Sequence, residues 1–226
     1  MNTQSLTLGS ILTMIILTKI NEAEYIDDMY QNEYLYFKSL KDFRSSSEDK
    51  SGRLDPKELN LKNSQIKTLS IFIDSKKIDL HDNCSNFKGQ LMEHLSDSKI
   101  NCCSMHWLVI EPEKPPLTYD KRLLEMGNKA LLIYNLDEFY KILDSSLEKL
   151  NLEYSRKRVT YYDPETHNGE LTLHSKDRKY DYQNEYRILI TPTDNNPVKI
   201  PPPGLKNISL VVESKSLENL RIEMTE

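Results

Sequence analysis

Glycine is scarce in this chain, with six residues among 226. Neither G-x-G-x-x-G nor G-x-x-x-x-G-K-[ST] occurs, so the sequence has no glycine-rich loop of the kind that holds nucleotide phosphates against a helix N-terminus. A G-x-S-x-G elbow and an H-E-x-x-H pair are also missing. These absences argue against a Rossmann dehydrogenase, a P-loop enzyme, an esterase-type serine nucleophile and a zincin.

Cysteine is nearly as rare, with Cys84, Cys102 and Cys103 as the only three. An odd number of thiols cannot form a fully paired disulfide framework, and no Cys/His spacing matches a zinc site. We therefore expect reduced thiols, a cytoplasmic protein and no bound metal. His106 lies close to the last two thiols in sequence, which leaves a cysteine nucleophile as a minor alternative.

An excess of positive charge is also lacking, because the formal net charge is -5. No overall field attracts nucleic acid or an anionic membrane, although a local basic cleft stays open as an alternative. The apolar run at residues 11–17 is too short to span a bilayer and has no basic segment before it, so we predict a first buried strand. We expect residues 1–13 to be a disordered extension and residues 14–226 to form one domain.

Short strand-like segments separated by a few helical ones predict an α+β fold, with bent, mainly antiparallel sheets and helices packed on them. Tyrosine is abundant, with thirteen residues against five Phe and one Trp, which suits half-buried sheet faces. Helices are predicted from Asn21, as N-cap, to residue 31, and at residues 83–96, 120–126 and 136–149, the last with Asn135 as N-cap. Strands are predicted at residues 33–38, 64–80 as a hairpin, 99–110, 129–134, 158–163, 171–174, 180–190 and 208–213.

The predicted strand at residues 180–190 has an unusual polar face. At a period of two, Gln183, Glu185 and Arg187 share one face, whereas Tyr182, Tyr186, Ile188 and Ile190 take the other. Such a face is either solvated or forms the floor of a polar cleft.

A polar, turn-rich loop at residues 44–58 offers partners for that face. It begins at Arg44, after an aromatic strand that contains Tyr36, and it also carries Glu48, Arg53, Asp55 and Glu58. Arginine suits phosphate oxygens, and a fixed carboxylate stabilises a developing positive charge. Ordinary surface ion pairs remain an equally open explanation for these residues.

Three blocks resemble a group of uncharacterised bacterial and prophage proteins. The group's pattern has an early Tyr-x-x-x-Leu-x-x-Phe-Arg, then Glu-Asp and Arg-x-Asp-x-x-Glu, a middle Gly-x-x-Ala-Leu-(Leu/Ile)-Ile-x-Asn-x-x-Glu-Phe, and a late Tyr-x-Tyr-Gln-x-Glu-(Tyr/Phe)-Arg. In this chain the blocks lie at residues 36–58, 127–139 and 180–187. With the order of helices and strands, the likeness covers most of the chain after Met14.

The triplet Gln183-Asn184-Glu185 also resembles the (Gln/Glu)-x-Glu motif of ADP-ribosyltransferase-like enzymes, which hold NAD in a cleft between two small sheets. That resemblance implies NAD as cofactor, with Glu185 at the nicotinamide ribose and Gln183 orienting the acceptor. Arg187 completes the predicted catalytic set. Arg44 or Arg53 would hold the pyrophosphate, and Tyr36 and His106 complete the predicted cofactor-binding set.

The leading hypothesis is therefore an ADP-ribosyltransferase or NAD glycohydrolase, such as a toxin or phage-defence effector. Its partners would be a nucleotide-type small molecule and a protein or nucleic-acid acceptor, with no membrane involved. Two alternatives stay open: a nuclease that uses Glu48, Asp55, Glu58 and Glu185, and a non-catalytic module that binds a nucleotide or a protein. The sequence leaves the oligomeric state open.

Overall fold

The computed structural model describes residues 14–44, 53–80, 88–96, 98–110 and 119–220. The expected extension at residues 1–13, together with Glu48 and Cys84, lies outside them. Fifteen strands lie within the described part: β1 Met14–Asn21, β2 Leu35–Ser39, β3 Asn60–Ile66, β4 Ser70–Ile73, β5 Lys76–Asp79, β6 Gly89–His94, β7 Asn101–Ile110, β8 Lys129–Ile133, β9 Glu153–Arg158, β10 Thr160–Tyr162, β11 Gly169–Glu170, β12 Ser175–Asp177, β13 Glu185–Thr191, β14 Val198–Ile200 and β15 Ser209–Glu213.

The helices are few and short beside these strands. The α-helices are α1 Ala23–Gln31, α2 Lys121–Leu124 and α3 Leu136–Lys149, and 3₁₀-helices occur at Leu40–Phe43, Arg178–Gln183, Leu205–Ile208 and Ser214–Asn219. The side chain of Asn135 accepts a hydrogen bond from the backbone of Glu138, which confirms it as the N-cap of α3. None of the helices in the described part of the chain is long and apolar enough to cross a membrane.

One eight-stranded sheet organises the structure, in the order β14-β2-β7-β1-β8-β15, with β13 pairing with β7 and β9. The long strand β7 pairs with β1 along its second half and with β13 along its first. Among the described strands every pairing is antiparallel except β10 with β12. The mixed α+β class with mainly antiparallel sheets is therefore confirmed.

The two faces of this sheet differ: one packs against helices, and the other carries smaller apolar clusters with a polar region between them. On one face, alternate residues such as Leu17, Cys103, Met105 and Ile188 pack under α1 and α3 in the main hydrophobic core. The opposite face carries two smaller apolar clusters, one formed around residues of β1, β8 and α2, and the other around Leu40, Leu59, Cys102 and Leu189. Between these two clusters the second face becomes polar.

Three smaller sheets complete the architecture: β11-β3-β6, β4-β5 and β10-β12. The prediction of a helix at residues 83–96 is wrong where the structure describes that segment, because β6 is a strand. Leu91 and Met92 pair there with Ser64 and Asn63 of β3. The helix-like spacing of four apolar residues is outweighed by backbone pairing with a neighbouring strand.

The start of α1 also differs from prediction. Glu22, not Asn21, is its N-cap residue, and it makes no side-chain cap hydrogen bond. Asn21 instead ends β1 and pairs with Lys129 of β8. Its side chain accepts a hydrogen bond from Arg53, which lines the cleft described below.

Candidate active site

The polar part of the second sheet face is the floor of a cleft. Antiparallel partners point to the same side of a sheet, and Glu185 pairs with His106 while Arg187 pairs with Ser104. Four polar side chains from β7 and β13 are therefore collected on one surface, and all four line the cleft. The predicted alternation along β13 is confirmed for residues 185–190, and its polar face is not solvated.

Gln183 reaches the same cleft by another route. It ends the 3₁₀-helix Arg178–Gln183, and Asn184 then adopts a left-handed conformation before β13 begins at Glu185. The prediction that Gln183 and Tyr182 belong to the strand is therefore wrong. Tyr182 packs with the β1/β8 cluster, on the opposite side of the sheet from Tyr186. The polar residues of this short 3₁₀-helix are spaced in sequence as they would be along one face of a strand.

Glu185 is held by three donors. Its Oε1 accepts from Ser104 Oγ at 2.6 Å and from Arg187 Nε at 2.7 Å, and its Oε2 accepts from Lys176 Nζ at 2.8 Å. Burial alone would raise the pKa of Glu185, but Arg187 and Lys176 outweigh it and lower the pKa well below its ordinary value. The side chain is therefore an ionised carboxylate fixed in one position.

Arg187 lies between two buried acids. Besides its bond to Glu185, its Nη1 and Nη2 donate to the two carboxylate oxygens of Glu58 at 2.7 and 2.8 Å, and Nη1 donates to the Leu173 carbonyl at 2.6 Å. Its side chain is 2% exposed and that of Glu58 is 3% exposed. Burial raises the pKa of Glu58, with Arg187 acting against that rise. The bidentate geometry is the strongest form of arginine–carboxylate pair.

Lys176 connects this network to Gln183. Its buried ammonium donates to Gln183 Oε1 at 2.7 Å and to Glu185 Oε2 at 2.8 Å. Two of the three predicted catalytic side chains, Gln183 and Glu185, therefore share one cation. Neither Lys176 nor Ser104 is among the site residues that the sequence predicts. The alternation of polar residues along β7 was the available signal for Ser104.

The lining of the cleft carries further positive charge. Arg53 donates to Asn21 Oδ1 at 3.0 Å and to the Met126 carbonyl, and Lys19 donates to the Ser104 carbonyl at 2.7 Å. The described lining contains four basic and two acidic side chains. With histidine neutral, the described lining therefore has an excess of positive charge, although the whole chain is acidic. Such a local field favours an anionic ligand.

Apolar side chains complete the walls, among them Leu40, Phe43 and Leu123. The space open to a ligand is about 110 Å³. This is less than the roughly 300–1,000 Å³ typical of sites that enclose a whole drug-sized ligand. The described walls would therefore enclose one ring or sugar of a larger molecule, with the remainder outside the enclosed space.

Five of the seven predicted site residues meet in this cleft: Glu185, Gln183, Arg187, Arg53 and His106. Arg44 and Tyr36 do not belong to its described lining. Arg44 is an exposed residue that follows the 3₁₀-helix Leu40–Phe43, and Tyr36 is exposed on β2, opposite Lys199 of β14. Arg53, rather than Arg44, is thus the arginine of the early loop that the fold brings to the cleft.

The acids suggested for a nuclease are arranged differently from a metal site. Glu58 and Glu185 are joined through the Arg187 guanidinium, and Asp55 accepts a hydrogen bond from the backbone of Lys57. Within the described ranges no group of three or more His, Cys, Asp or Glu side chains could hold a metal ion. Burial raises the pKa of the Cys102 thiol to about 12, so this thiol stays protonated at neutral pH and is a poor nucleophile.

Comparison of the chain with protein-family models, with curated proteins and with solved structures gave no match. The function therefore has to be argued from the geometry of the cleft.

Proposed function

We propose that this protein is an ADP-ribosyltransferase-like enzyme that cleaves the nicotinamide–ribose bond of NAD, as a transferase or as a glycohydrolase. The observation that carries the proposal is Glu185, an ionised carboxylate fixed at the floor of a small cleft. Breaking the bond leaves positive charge on the ribose as neutral nicotinamide departs. A fixed negative group beside that ribose stabilises this charge without having to reorganise.

The low pKa of Glu185 also indicates what kind of help it gives. A carboxylate that holds its proton this weakly is a poor general base near neutral pH. The carboxylate is nevertheless negatively charged near neutral pH, and hydrogen bonds from Ser104, Lys176 and Arg187 fix its orientation. We therefore assign it electrostatic stabilisation of the oxocarbenium-like transition state, with Gln183 positioned beside it through Lys176.

Arg53 supplies the second half of the argument. It is a half-buried residue of the cleft lining, and with the nicotinamide ribose beside Glu185 we assign the pyrophosphate to it. The guanidinium fork of Arg53 matches phosphate oxygens. A small enclosed volume with an arginine in its lining thus fits a dinucleotide that inserts one end. A toxin or phage-defence effector would use this reaction to deplete NAD or to modify a target.

The test is nicotinamide release and label transfer from labelled NAD, with and without cell lysate as a source of acceptors. The Glu185→Gln variant should lose about 100-fold to 1,000-fold in kcat, as expected when one transition-state group is removed, while NAD binding measured by calorimetry changes little. Asp144→Asn is the matched control, because it removes one carboxylate charge from an ion pair with Arg156 outside the cleft. Absence of turnover in the wild-type protein, or equal turnover in Glu185→Gln, would reject the proposal.

Arg53 provides an independent test of how the ligand lies. Arg53→Ala should weaken NAD binding by about 10-fold to 100-fold, which corresponds to the loss of one charged hydrogen-bonding partner. Arg44→Ala is the matched control, since Arg44 is exposed and lies outside the described lining of the cleft. Equal affinities in the two variants would contradict the assignment of the pyrophosphate to Arg53.

A non-catalytic nucleotide-binding module is the second candidate, and the saturation of Glu185 favours it. Three donors already use this carboxylate, and Arg187 is engaged by two acids and a carbonyl. Such a network also serves to fix a binding surface. Calorimetric binding of NAD without nicotinamide release, unchanged in Glu185→Gln, is the result that would select this function.

A further inference from the structure

His106 has one defined tautomer in this cleft. Its Nδ1 lies 2.7 Å from the backbone carbonyl oxygen of Gln183. A carbonyl oxygen only accepts, so Nδ1 must carry the hydrogen and donate it. When the ring is neutral, Nε2 therefore has no hydrogen and presents a lone pair.

The ring is also held in place. Tyr119 packs against it with ring centroids 5.3 Å apart, and the Tyr119 hydroxyl is bonded to Thr18 Oγ1 at 3.0 Å. Thr18 pairs with His106 across β1 and β7, just as Glu185 does across β13 and β7. The imidazole is thus fixed between two strand neighbours, on the same side of the sheet as the Glu185 carboxylate. Directly opposed residues have their Cβ atoms about 5 Å apart.

These contacts place a neutral proton acceptor next to the fixed charge. Glu185 stabilises positive charge but is too weak a base to take a proton near neutral pH. Burial lowers the pKa of His106 below its ordinary value, so this ring is neutral at pH 7. The two side chains are therefore suited to different tasks, Glu185 to stabilising positive charge and His106 to accepting a proton.

We propose that His106 is the general base that deprotonates the nucleophile, a water or an acceptor hydroxyl, in the reaction proposed above. The inference rests on that proposed function. The ribose C1′–nitrogen bond breaks and its electron pair leaves with neutral nicotinamide. The nucleophile's oxygen forms the new bond to C1′, and its proton passes to Nε2 of His106. The imidazolium formed in this step retains its Nδ1–H bond to Gln183 and stands beside the negative Glu185.

Other ionisable groups share the cleft and have to be separated from His106 in any pH experiment. Those in its described lining are Lys19, Arg53, Glu58, Cys102, Lys176, Glu185 and Arg187, and Tyr119 contacts the ring. Burial raises the pKa of Glu58, so Glu58 alone could also produce a loss of activity in acid. Only substitution of His106 itself distinguishes the two groups.

The pH dependence of kcat/KM for NAD is therefore measured in the wild-type protein and in variants at His106. Protonated His106 cannot accept a proton, so wild-type activity should fall with decreasing pH through a pKa below about 6.5. His106→Ala should lose about 100-fold in rate and also lose this acid limb. Added imidazole should restore at least part of its activity. His167→Ala, the same change outside the described cleft lining, should behave as wild type.

His106→Asn separates chemistry from packing. The asparagine amide can still donate to the Gln183 carbonyl, but it has no basic nitrogen. Low activity in this variant, together with imidazole rescue of His106→Ala, would support the inference. Full activity in His106→Asn, or an acid limb that persists in the variants without any imidazole response, would overturn the role of His106 and leave the proposed function standing. Absence of NAD turnover in the wild-type protein would instead remove the proposed function.

Discussion

Replacing Arg187 with methionine removes the one guanidinium that separates two buried carboxylates. Glu58 would lose both of its arginine hydrogen bonds, and Glu185 would keep only Ser104 and Lys176. Methionine fills similar volume but offers no donor, so the Leu173 carbonyl would also lose its partner. The substitution therefore breaks a buried ion-pair network by removing one member, and it does so without emptying the core.

Breaking a buried ion pair from one side costs about 3–5 kcal/mol, because the remaining charge stays buried without compensation. For a chain of this size, each kcal/mol lowers Tm by about 2–4 °C. Arg187→Met should thus lower Tm by about 6–20 °C at pH 7. Arg156→Met is the matched control: its Asp144 pair is about a quarter exposed, so water can solvate the remaining carboxylate and the loss should be smaller than in the buried network.

The loss of stability in Arg187→Met should depend on pH, and the direction of that dependence can be predicted. Without Arg187, the largest influence that opposes burial at Glu58 is gone and the pKa of Glu58 rises further, whereas Glu185 keeps Lys176 as a partner. The folded variant therefore binds a proton at Glu58 more tightly than its unfolded chain does. Its stability is then highest in acid and falls as the pH rises above about 4.3, the unfolded value for glutamate. In the wild type the pKa of Glu185 is lowered, so its contribution is present above that pH and is lost only in stronger acid.

Thermal unfolding and urea unfolding at pH 5 and pH 7 measure both effects. The gap between Arg187→Met and wild type should be wider at pH 7 than at pH 5, whereas the gap for Arg156→Met should be small at both. An Arg187→Met loss no larger than that of Arg156→Met, or a loss that grows toward acid, would refute the reasoning.

Other expectations follow from single contacts. Leu143→Ala, in the fully buried stripe of α3, should cost about 2–5 kcal/mol in urea unfolding, whereas Leu150→Ala, which is half exposed, should cost far less. Asn135→Ala should lower stability by about 1 kcal/mol in the same assay through loss of the α3 cap. Gly127→Ala should destabilise the fold, because its new Cβ would overlap the backbone of the strand β1, and it should also weaken NAD binding in calorimetry. Cys102 should resist iodoacetamide at pH 8 in the folded protein and react after denaturation, as read by mass spectrometry, since burial raises the pKa of its thiol to about 12.

The features predicted well from sequence are those that a local pattern determines. The apolar stripe and the cap of α3 are confirmed, as are the strands around residues 101–110 and 129–133. The alternation of Glu185 and Arg187 with Tyr186 and Ile188 also located the polar face correctly. In each case consecutive residues carry the whole signal.

The features missed depend on partners that are distant in sequence. Arg187 meets Glu58 across 129 residues and Ser104 meets Glu185 across 81, and no local period encodes either contact. Lys176 is only nine residues from Glu185, but a 3₁₀-helix intervenes and brings its amine back to the strand. The apolar spacing within β6 predicts a helix, because the pairing of this strand with β3 leaves no signal in its own sequence.

Strand β7 lies at the centre of the sheet, and its neighbouring residues have opposite surroundings. Cys103 and Met105 face the helices, whereas Cys102, Ser104 and His106 line the cleft. Saturation mutagenesis of residues 102–106 should therefore give two phenotypes that alternate residue by residue, loss of abundance at the odd positions and loss of activity or selectivity at the even ones. Substitutions at the cleft-lining positions could change which ligand binds, while the helix-facing positions continue to maintain the fold.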